Sequence, residues 1–244
     1  MTSPTSRSHR IRRVGLLVPA SNTNAEPLTA AVLHDVPEVE VFASRFRLPA
    51  SLDARIDEAV LGEAVPLIAE VAPDVVAFHG TAGSWTGVDA DATLAAELAA
   101  ATGAAAGTTA TQAMYAALAV LGARSVSVVF PGSDEIVTGI ESELGARGIE
   151  VVGRSTLPAD LTNPQIAALE SDSIESLIVG GAREGADAVL CVGTNLRAGP
   201  LVHELEERLG LPIVDSAVAV AWHVLRLAGI RAAVPGWGSL LRSH

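Results

Sequence analysis

The chain has 244 residues, of which 49% are hydrophobic and 3% aromatic, and its formal net charge is -12. A chain of this length buries a substantial core, as one large domain or as two small lobes. The negative charge excludes nonspecific nucleic-acid binding, which needs a basic face. The single cysteine, Cys191, excludes an internal disulfide and a multi-thiolate metal site. We expect neither a metal nor a cofactor.

Residues 1–12 carry three arginines among serines and threonines, and the apolar h-region of a signal peptide does not follow them. This pattern predicts a flexible N-terminal arm rather than a signal peptide. The alanine-rich run 94–106 is too short and too interrupted to span a membrane. We therefore expect a cytoplasmic protein with no membrane partner.

Apolar runs predict strands, and a periodicity of 3.6 residues between them predicts helices. The predicted strands are 13–18, 39–46, 74–79, 125–130, 149–154, 187–192 and 211–214. A helix opens after 19–23, and the others are 54–71, 89–102, 109–121, 134–146, 164–182, 200–209 and 216–228. Asp134 and Asn163 fall at N-cap positions. The alternation predicts an α/β fold with parallel sheets flanked by helices.

Two stretches of the chain share a pattern: DVVAFHGT (74–81) and DAVLCVGT (187–194) are each an acidic residue, an apolar run and a Gly-Thr. Likewise VGLLVPASN (14–22) resembles VSVVFPGSD (126–134), and each proline precedes its Gly-Thr by about 60 residues. The pattern predicts an internal repeat of two pseudo-symmetric lobes with a cleft between them. The predicted lobes are 13–118 plus 216–244, and 119–215.

Polar residues follow several of the predicted strands. Open α/β sheets bind ligands at the carboxyl ends of their strands, and the loop 19–23 adds a helix N-terminus, which favours anions. Thr81, Ser84, Thr194 and Asn195 lie in the corresponding loops. Together they indicate donors for a carboxylate or an enediolate, although each residue alone is also a common helix cap. The motifs for phosphate and dinucleotide binding are absent.

Five motifs resemble the aspartate/glutamate racemase superfamily, and within it the maleate cis–trans isomerases and arylmalonate decarboxylases. They are VPASNTNAE (18–26), HGTAGS (79–84), TTATQA (108–113), LTNPQIA (161–167) and GTNLRAG (193–199). The resemblance spans residues 13 to about 238. It implies a cofactor-independent isomerase or decarboxylase (a lyase) that closes two lobes around a small carboxylate or dicarboxylate, and it implies a homo-oligomer.

The resemblance also shows what this chain lacks. The two family cysteines, which act on opposite faces of the substrate, correspond to Gly80 and Gly193, and a cleft tyrosine corresponds to a position near Gly132. The matching residues that remain are Asn22, Thr81, Thr194 and Asn195, which would bind carboxylate oxygens, and Asn163, which would be a polar cleft residue.

Without these thiols, the candidate catalytic residues are His79 and Cys191. Imidazole titrates near neutral pH and can transfer a proton, although strict strand alternation would point His79 away from the side of Gly80. Cys191 lies two residues before Gly193, on the same strand face, but a lone buried cysteine is more often an inert core residue.

Three functions remain open at this point. The first is an isomerase or decarboxylase that stabilises an enediolate or oxyanion with fixed Ser, Thr, Asn and backbone donors and uses non-cysteine acid/base chemistry. The second is a hydrolase or hydratase that uses a water in the space left by the missing cysteines. The third is a non-catalytic paralogue that binds a small carboxylate.

Overall fold

The computed structural model describes residues 10–49, 56–158 and 161–242. Most of the predicted N-terminal arm, residues 1–9, and the first two residues of the predicted helix 54–71 lie outside the described residues. Arg10 and Arg12, at the end of the predicted arm, place guanidinium nitrogens 2.9 and 3.2 Å from a carboxylate oxygen of Asp74. The first strand begins at Arg12.

The strands form two four-stranded parallel sheets. The first sheet has the order β2-β1-β3-β4 and consists of β1 (Arg12–Pro19), β2 (Val39–Phe46), β3 (Val75–Phe78) and β4 (Ala106–Thr109). The second has the order β6-β5-β7-β8 and consists of β5 (Ser125–Phe130), β6 (Glu150–Thr156), β7 (Ala188–Cys191) and β8 (Ile213–Asp215). Because the two orders are equivalent, the predicted α/β fold with two similar halves is confirmed.

Helices connect these strands. The helices of the first half are α1 (Ala25–Val32), α2 (Glu58–Leu61), α3 (Ala64–Ala69), α4 (Gly83–Thr86), α5 (Val88–Thr102) and α6 (Ala110–Leu121). Those that follow along the chain are α7 (Asp134–Gly145), α8 (Asn163–Ala167), α9 (Ser171–Gly181), α10 (Val202–Leu209), α11 (Ser216–Leu227) and α12 (Ser239–Arg242), with a 3-10 helix at Gly199–Leu201. Among the described helices, none is long and apolar enough to cross a membrane.

Several element predictions were wrong in detail. Strand β4 was not predicted, because Ala-Gly-Thr-Thr contains no long apolar run. The predicted helix 54–71 divides into α2 and α3 at Gly62, whose φ of +48° favours glycine. The N-cap residues are Ser133 and Thr162, so Asp134 and Asn163 are instead the first residues of their helices.

The hydrophobic core connects the two halves. Its largest cluster contains Leu16 of β1 and Leu190 of β7, together with apolar residues of α6 and α11. Helix α11 follows the last strand of the second sheet and packs against α6 of the first half. The exact boundaries of the two predicted lobes stay a prediction.

Candidate active site

A cavity of about 470 Å³ lies where the carboxyl ends of β1, β3, β5 and β7 meet. We call it the cleft. The candidate residues that line it are Asn22, His79, Gly80, Thr81, Asn163, Gly193, Thr194 and Asn195. The other two candidates, Ser84 and Cys191, do not line it. The internal repeat therefore brings together most of the residues expected from the sequence.

Hydrogen bonds join the loop after β1 to the loop after β7. Asn22 Nδ2 donates to Thr194 Oγ1 over 2.9 Å, and Thr194 Oγ1 donates to the carbonyl oxygen of His79 over 3.1 Å. Asn22 Oδ1 accepts from the backbone N–H groups of Asn24 and Ala25 at the start of α1. Asn22 is 1% exposed and Thr194 is 6% exposed, so these bonds are buried.

Asn195 and Asn163 extend this network. Asn195 Oδ1 accepts from the Thr23 backbone N–H over 3.0 Å, and its Nδ2 donates to the Asn163 carbonyl oxygen over 2.8 Å. Asn163 Nδ2 donates to Ser21 Oγ over 3.0 Å. These side chains therefore hold the loops of the two halves against each other. Direct contact between them and a substrate carboxylate stays a prediction.

Some backbone N–H groups of the loops at the cleft are not used in the hydrogen bonds described above. Among the described residues, the N–H groups of Gly80, Thr81, Gly193 and Thr194 have no hydrogen-bond partner. We name Gly80–Ala82 the first donor loop and Gly193–Asn195 the second donor loop. Fixed N–H groups in a partly closed cavity are well suited to stabilise an oxyanion.

The two glycines at the family cysteine positions are fixed by local geometry. A Cβ on Gly80 would lie 2.3 Å from Cε1 of Phe78, so the phenyl ring occupies that space. Gly193 has a φ of +125°, which L side chains rarely adopt. A side chain at either position requires the surrounding structure to change.

His79 is completely buried, and neither ring nitrogen has a hydrogen-bond partner among the described residues. Burial lowers the pKa of His79 to about 4, so the imidazole is neutral at neutral pH. Alternation along β3 places the ring on the side of Val75 and Ala77, which belong to the largest core cluster. A catalytic role would require the ring nitrogens to reach the cleft, and this role stays a prediction.

Cys191 and Ser84 lie away from the cleft. Cys191 is fully buried in a core cluster of the second half, where burial and the nearby carboxyl group of Asp215 raise the pKa of its thiol well above the ordinary value. A thiol in this environment is a poor nucleophile and a poor acid. Ser84 is 2% exposed, and its hydroxyl lies 3.2 Å from that of Thr111.

Part of the cleft wall is apolar. Trp85 of α4 and Phe130 of β5 meet edge to face, with ring centroids 5.8 Å apart, and Ile136 and Ile166 lie beside them. No lysine, arginine, aspartate or glutamate lines the cleft within the described ranges. Phe130 and Ile136 were not predicted as site residues. Phe130 ends strand β5 and Ile136 lies in the first turn of α7, and the predicted site residues occupy similar positions in the chain.

Residues 14–241 match the arylmalonate decarboxylase family. The chain belongs to this family. It is 30% identical to the arylmalonate decarboxylase of Bordetella bronchiseptica over 236 residues, which cover 93% of this chain and 95% of the relative. It is 27% identical to the maleate isomerase of Nocardia farcinica over 248 residues, which cover 95% and 96% of the two chains.

Solved structures of such proteins have the same fold. A cysteine-to-serine variant of the Nocardia farcinica maleate cis–trans isomerase, with a covalently bound succinylcysteine intermediate, superposes with a TM-score of 0.85 at 27% identity, covering 95% of this chain and 98% of that one. A liganded arylmalonate decarboxylase variant, with one glycine changed to cysteine and one cysteine to serine, gives 0.82 at 26% identity, covering 94% and 98%. The predicted superfamily and enzyme class, an isomerase or decarboxylase, are confirmed.

Proposed function

We propose that the protein decarboxylates a small malonate-type carboxylate with an apolar substituent. The observation that carries this proposal is the cleft itself, which combines unpaired backbone donors from both halves with an apolar wall and contains no thiol. The donor loops would hold the carboxylate oxygens, and Trp85 and Phe130 would contact the substituent.

The missing thiols favour decarboxylation over the other reactions of the family. Isomerisation of a double bond through a covalent adduct needs a nucleophile, and racemisation needs an acid or base on each face of the carbon. Gly80 and Gly193 provide neither, and Cys191 is buried outside the cleft. Decarboxylation needs only a stabilised carbanion and one proton donor.

The reaction balances without a cofactor. The bond between the α-carbon and one carboxylate breaks and releases CO2, and its electron pair moves into the other carboxylate to form an enediolate. The N–H groups of the donor loops stabilise the charge on the enediolate oxygens. A water in the space beside the two glycines then gives a proton to the α-carbon and leaves as hydroxide.

An activity panel in deuterated water tests this proposal. Purified protein is incubated with phenylmalonate, methylmalonate and maleate, and the products are identified by NMR. We expect phenylacetate with deuterium at the α-carbon, and no fumarate. Fumarate formation would instead show isomerisation, and stabilisation by carboxylates without any turnover would show a binding protein.

Variants of Thr81 test the role of the first donor loop. Thr81 is 7% exposed, belongs to the first donor loop and lines the cleft. We expect Thr81→Ala to lower kcat by about tenfold to a hundredfold, because one oxyanion donor is lost. Thr81→Ser keeps the hydroxyl and is the matched control, with kcat expected within a few-fold of the original protein.

A further inference from the structure

A second cavity, of about 320 Å³, adjoins the cleft. The two cavities share Ile56, Phe78 and Ala82 in their walls. The remaining wall of the second cavity comes from α4, from Gly87 and from the part of α5 that ends at Glu97. Because these residues face both cavities, a substituent that extends from the cleft past Phe78 would reach the second one.

The second cavity contains a buried carboxylate with one free oxygen. Asp91, in the first turn of α5, is only 6% exposed and lines the cavity. Its Oδ2 accepts hydrogen bonds from the Thr109 hydroxyl and from Gln112 Nε2. Its Oδ1 accepts none from any described residue. Two donors thus fix the carboxylate and leave the other oxygen available to a ligand.

Among the residues that the structure describes around this carboxylate, none supplies a balancing cation. No lysine or arginine lines the second cavity within the described ranges, and Glu97 adds a second acidic side chain. Burial raises the pKa of Asp91 to about 6, against the lowering effect of the Thr109 and Gln112 hydrogen bonds, so most of it is ionised at neutral pH. A buried, unpaired carboxylate is costly unless a partner binds it.

We propose that the second cavity is a subsite for an ammonium group at the far end of the substrate's substituent. The ammonium would bind Asp91 Oδ1, while Glu97, six residues and about 9 Å further along α5, would act only through its charge. The carboxylate end of the same molecule would lie at the donor loops, so this part of the inference rests on the proposed function. The preferred substrate then carries an anionic and a cationic end, separated by an apolar segment that passes Phe78.

Calorimetry with matched ligands tests the subsite. The ammonium ligands are 3- and 4-(aminomethyl)phenylacetate, and the neutral isosteres are 3- and 4-ethylphenylacetate. The 3- and 4-positions of the ring place the ammonium group at two different distances from the carboxylate. We expect one ammonium ligand to bind at least tenfold more tightly than its isostere, and we expect Asp91→Asn to remove this preference.

Two controls separate a subsite from a structural role of Asp91. Asparagine at position 91 can still accept the Thr109 and Gln112 hydrogen bonds, and the melting temperature shows whether the variant is folded. Asp89→Asn removes the same charge from an exposed position two residues away and should leave the preference unchanged. If Asp91→Asn does not fold, Glu97→Gln should weaken the ammonium preference by a few-fold on its own.

Benzylamine, which has no carboxylate, distinguishes the two proposals. Equal affinity for the ammonium and ethyl ligands at both ring positions would overturn the subsite while leaving the cleft proposal intact. If no phenylacetate binds but benzylamine binds and requires Asp91, the proposed function fails and the subsite stands. Absence of binding by all these ligands would contradict both.

Discussion

Two cleft positions show how a single residue limits the chemistry of this protein. Gly193 has a φ of +125°, and the ring of Phe78 occupies the space beside Gly80. A cysteine at Gly193 would have a strained backbone, and a cysteine at Gly80 would need the Phe78 ring to move. The sequence alone predicts the loss of the thiols, and the structure shows that the local geometry at both positions favours glycine. In the proposed decarboxylation, the acid that protonates the substrate would therefore come from elsewhere, and water is the simplest source.

The buried imidazole of His79 leads to a prediction at the scale of one residue. Its pKa is about 4 in the folded protein, against an ordinary value of 6.5. Between these values the unfolded chain binds a proton that the folded protein does not bind, so lowering the pH destabilises the fold. We expect His79→Leu to reduce the stability lost between pH 7 and pH 4.5 by on the order of 2–3 kcal/mol.

Urea unfolding of both proteins at several pH values measures this difference. Asp91 and Asp215, whose pKa values burial raises to about 6 and about 7, act in the opposite direction, but they are present in both proteins and cancel in the comparison. The side chain of His34 is 82% exposed, so His34→Leu is the matched control for the loss of a histidine. An unchanged pH dependence in His79→Leu would show that the imidazole reaches solvent or a proton donor.

At the scale of elements, the loops after β1 and β7 depend on each other. Asn22 Oδ1 accepts from the backbone N–H groups of Asn24 and Ala25 at the start of α1, and Asn22 Nδ2 donates to Thr194, so one side chain serves both a helix start and the contact between halves. We expect Asn22→Ala to lower the free energy of unfolding by on the order of 2–4 kcal/mol, because the hydrogen bonds at the helix start and the buried hydrogen bond to Thr194 are lost together. Chemical denaturation measures the change.

An exposed cap provides the comparison for Asn22. Thr162 is the N-cap of α8 and is exposed, so Thr162→Ala should cost about 1 kcal/mol or less. Similar losses in the two variants would show that the bond between Asn22 and Thr194 adds nothing to stability. The sequence predicted Asn22 at a helix start and near a ligand, but it gave no sign of a partner more than 170 residues away.

Seven of the eight described strands were predicted near their observed ranges, including β2, in which Glu40 and Arg45 interrupt the apolar pattern. Strands β1 and β5 have continuous apolar segments, and the predicted ranges match them closely. Strand β4 is short and contains Gly107, where a Cβ would lie 2.0 Å from the Ala95 carbonyl oxygen of α5. That close approach of helix and strand is a tertiary constraint, and no local pattern reveals it. The cavity that contains Asp91 depends on the same packing and was not predicted.

At the scale of the whole molecule, the internal repeat accounts for what the sequence could predict of the site. Two similar halves place equivalent loops at the same ends of their strands, so the Gly-Thr pairs and the Pro19 loop were expected to meet, and they do. The hydrogen bonds across the halves and the buried position of Cys191 depend on three-dimensional packing. For that reason the location of the cleft was predictable and its chemistry was not.

The shared core predicts that the two halves unfold together. Leu16 of the first sheet and Leu190 of the second belong to the same buried cluster. Leu16→Ala and Leu190→Ala should each cost about 2–5 kcal/mol and shift the whole unfolding transition. Circular dichroism and tryptophan fluorescence should give coincident curves for both variants, as expected for a single cooperative unit.

An exposed leucine is the control that distinguishes the loss of core packing from the loss of a leucine side chain in general. Leu67 is 62% exposed, so Leu67→Ala should change stability by less than about 0.5 kcal/mol. If the halves were independent, Leu190→Ala would lower only one of two transitions, and the two probes would diverge. A cleft built by both halves would then lose its geometry while one half stayed folded. Coincident transitions would instead mean that the donor loops keep their relative positions for as long as the protein is folded.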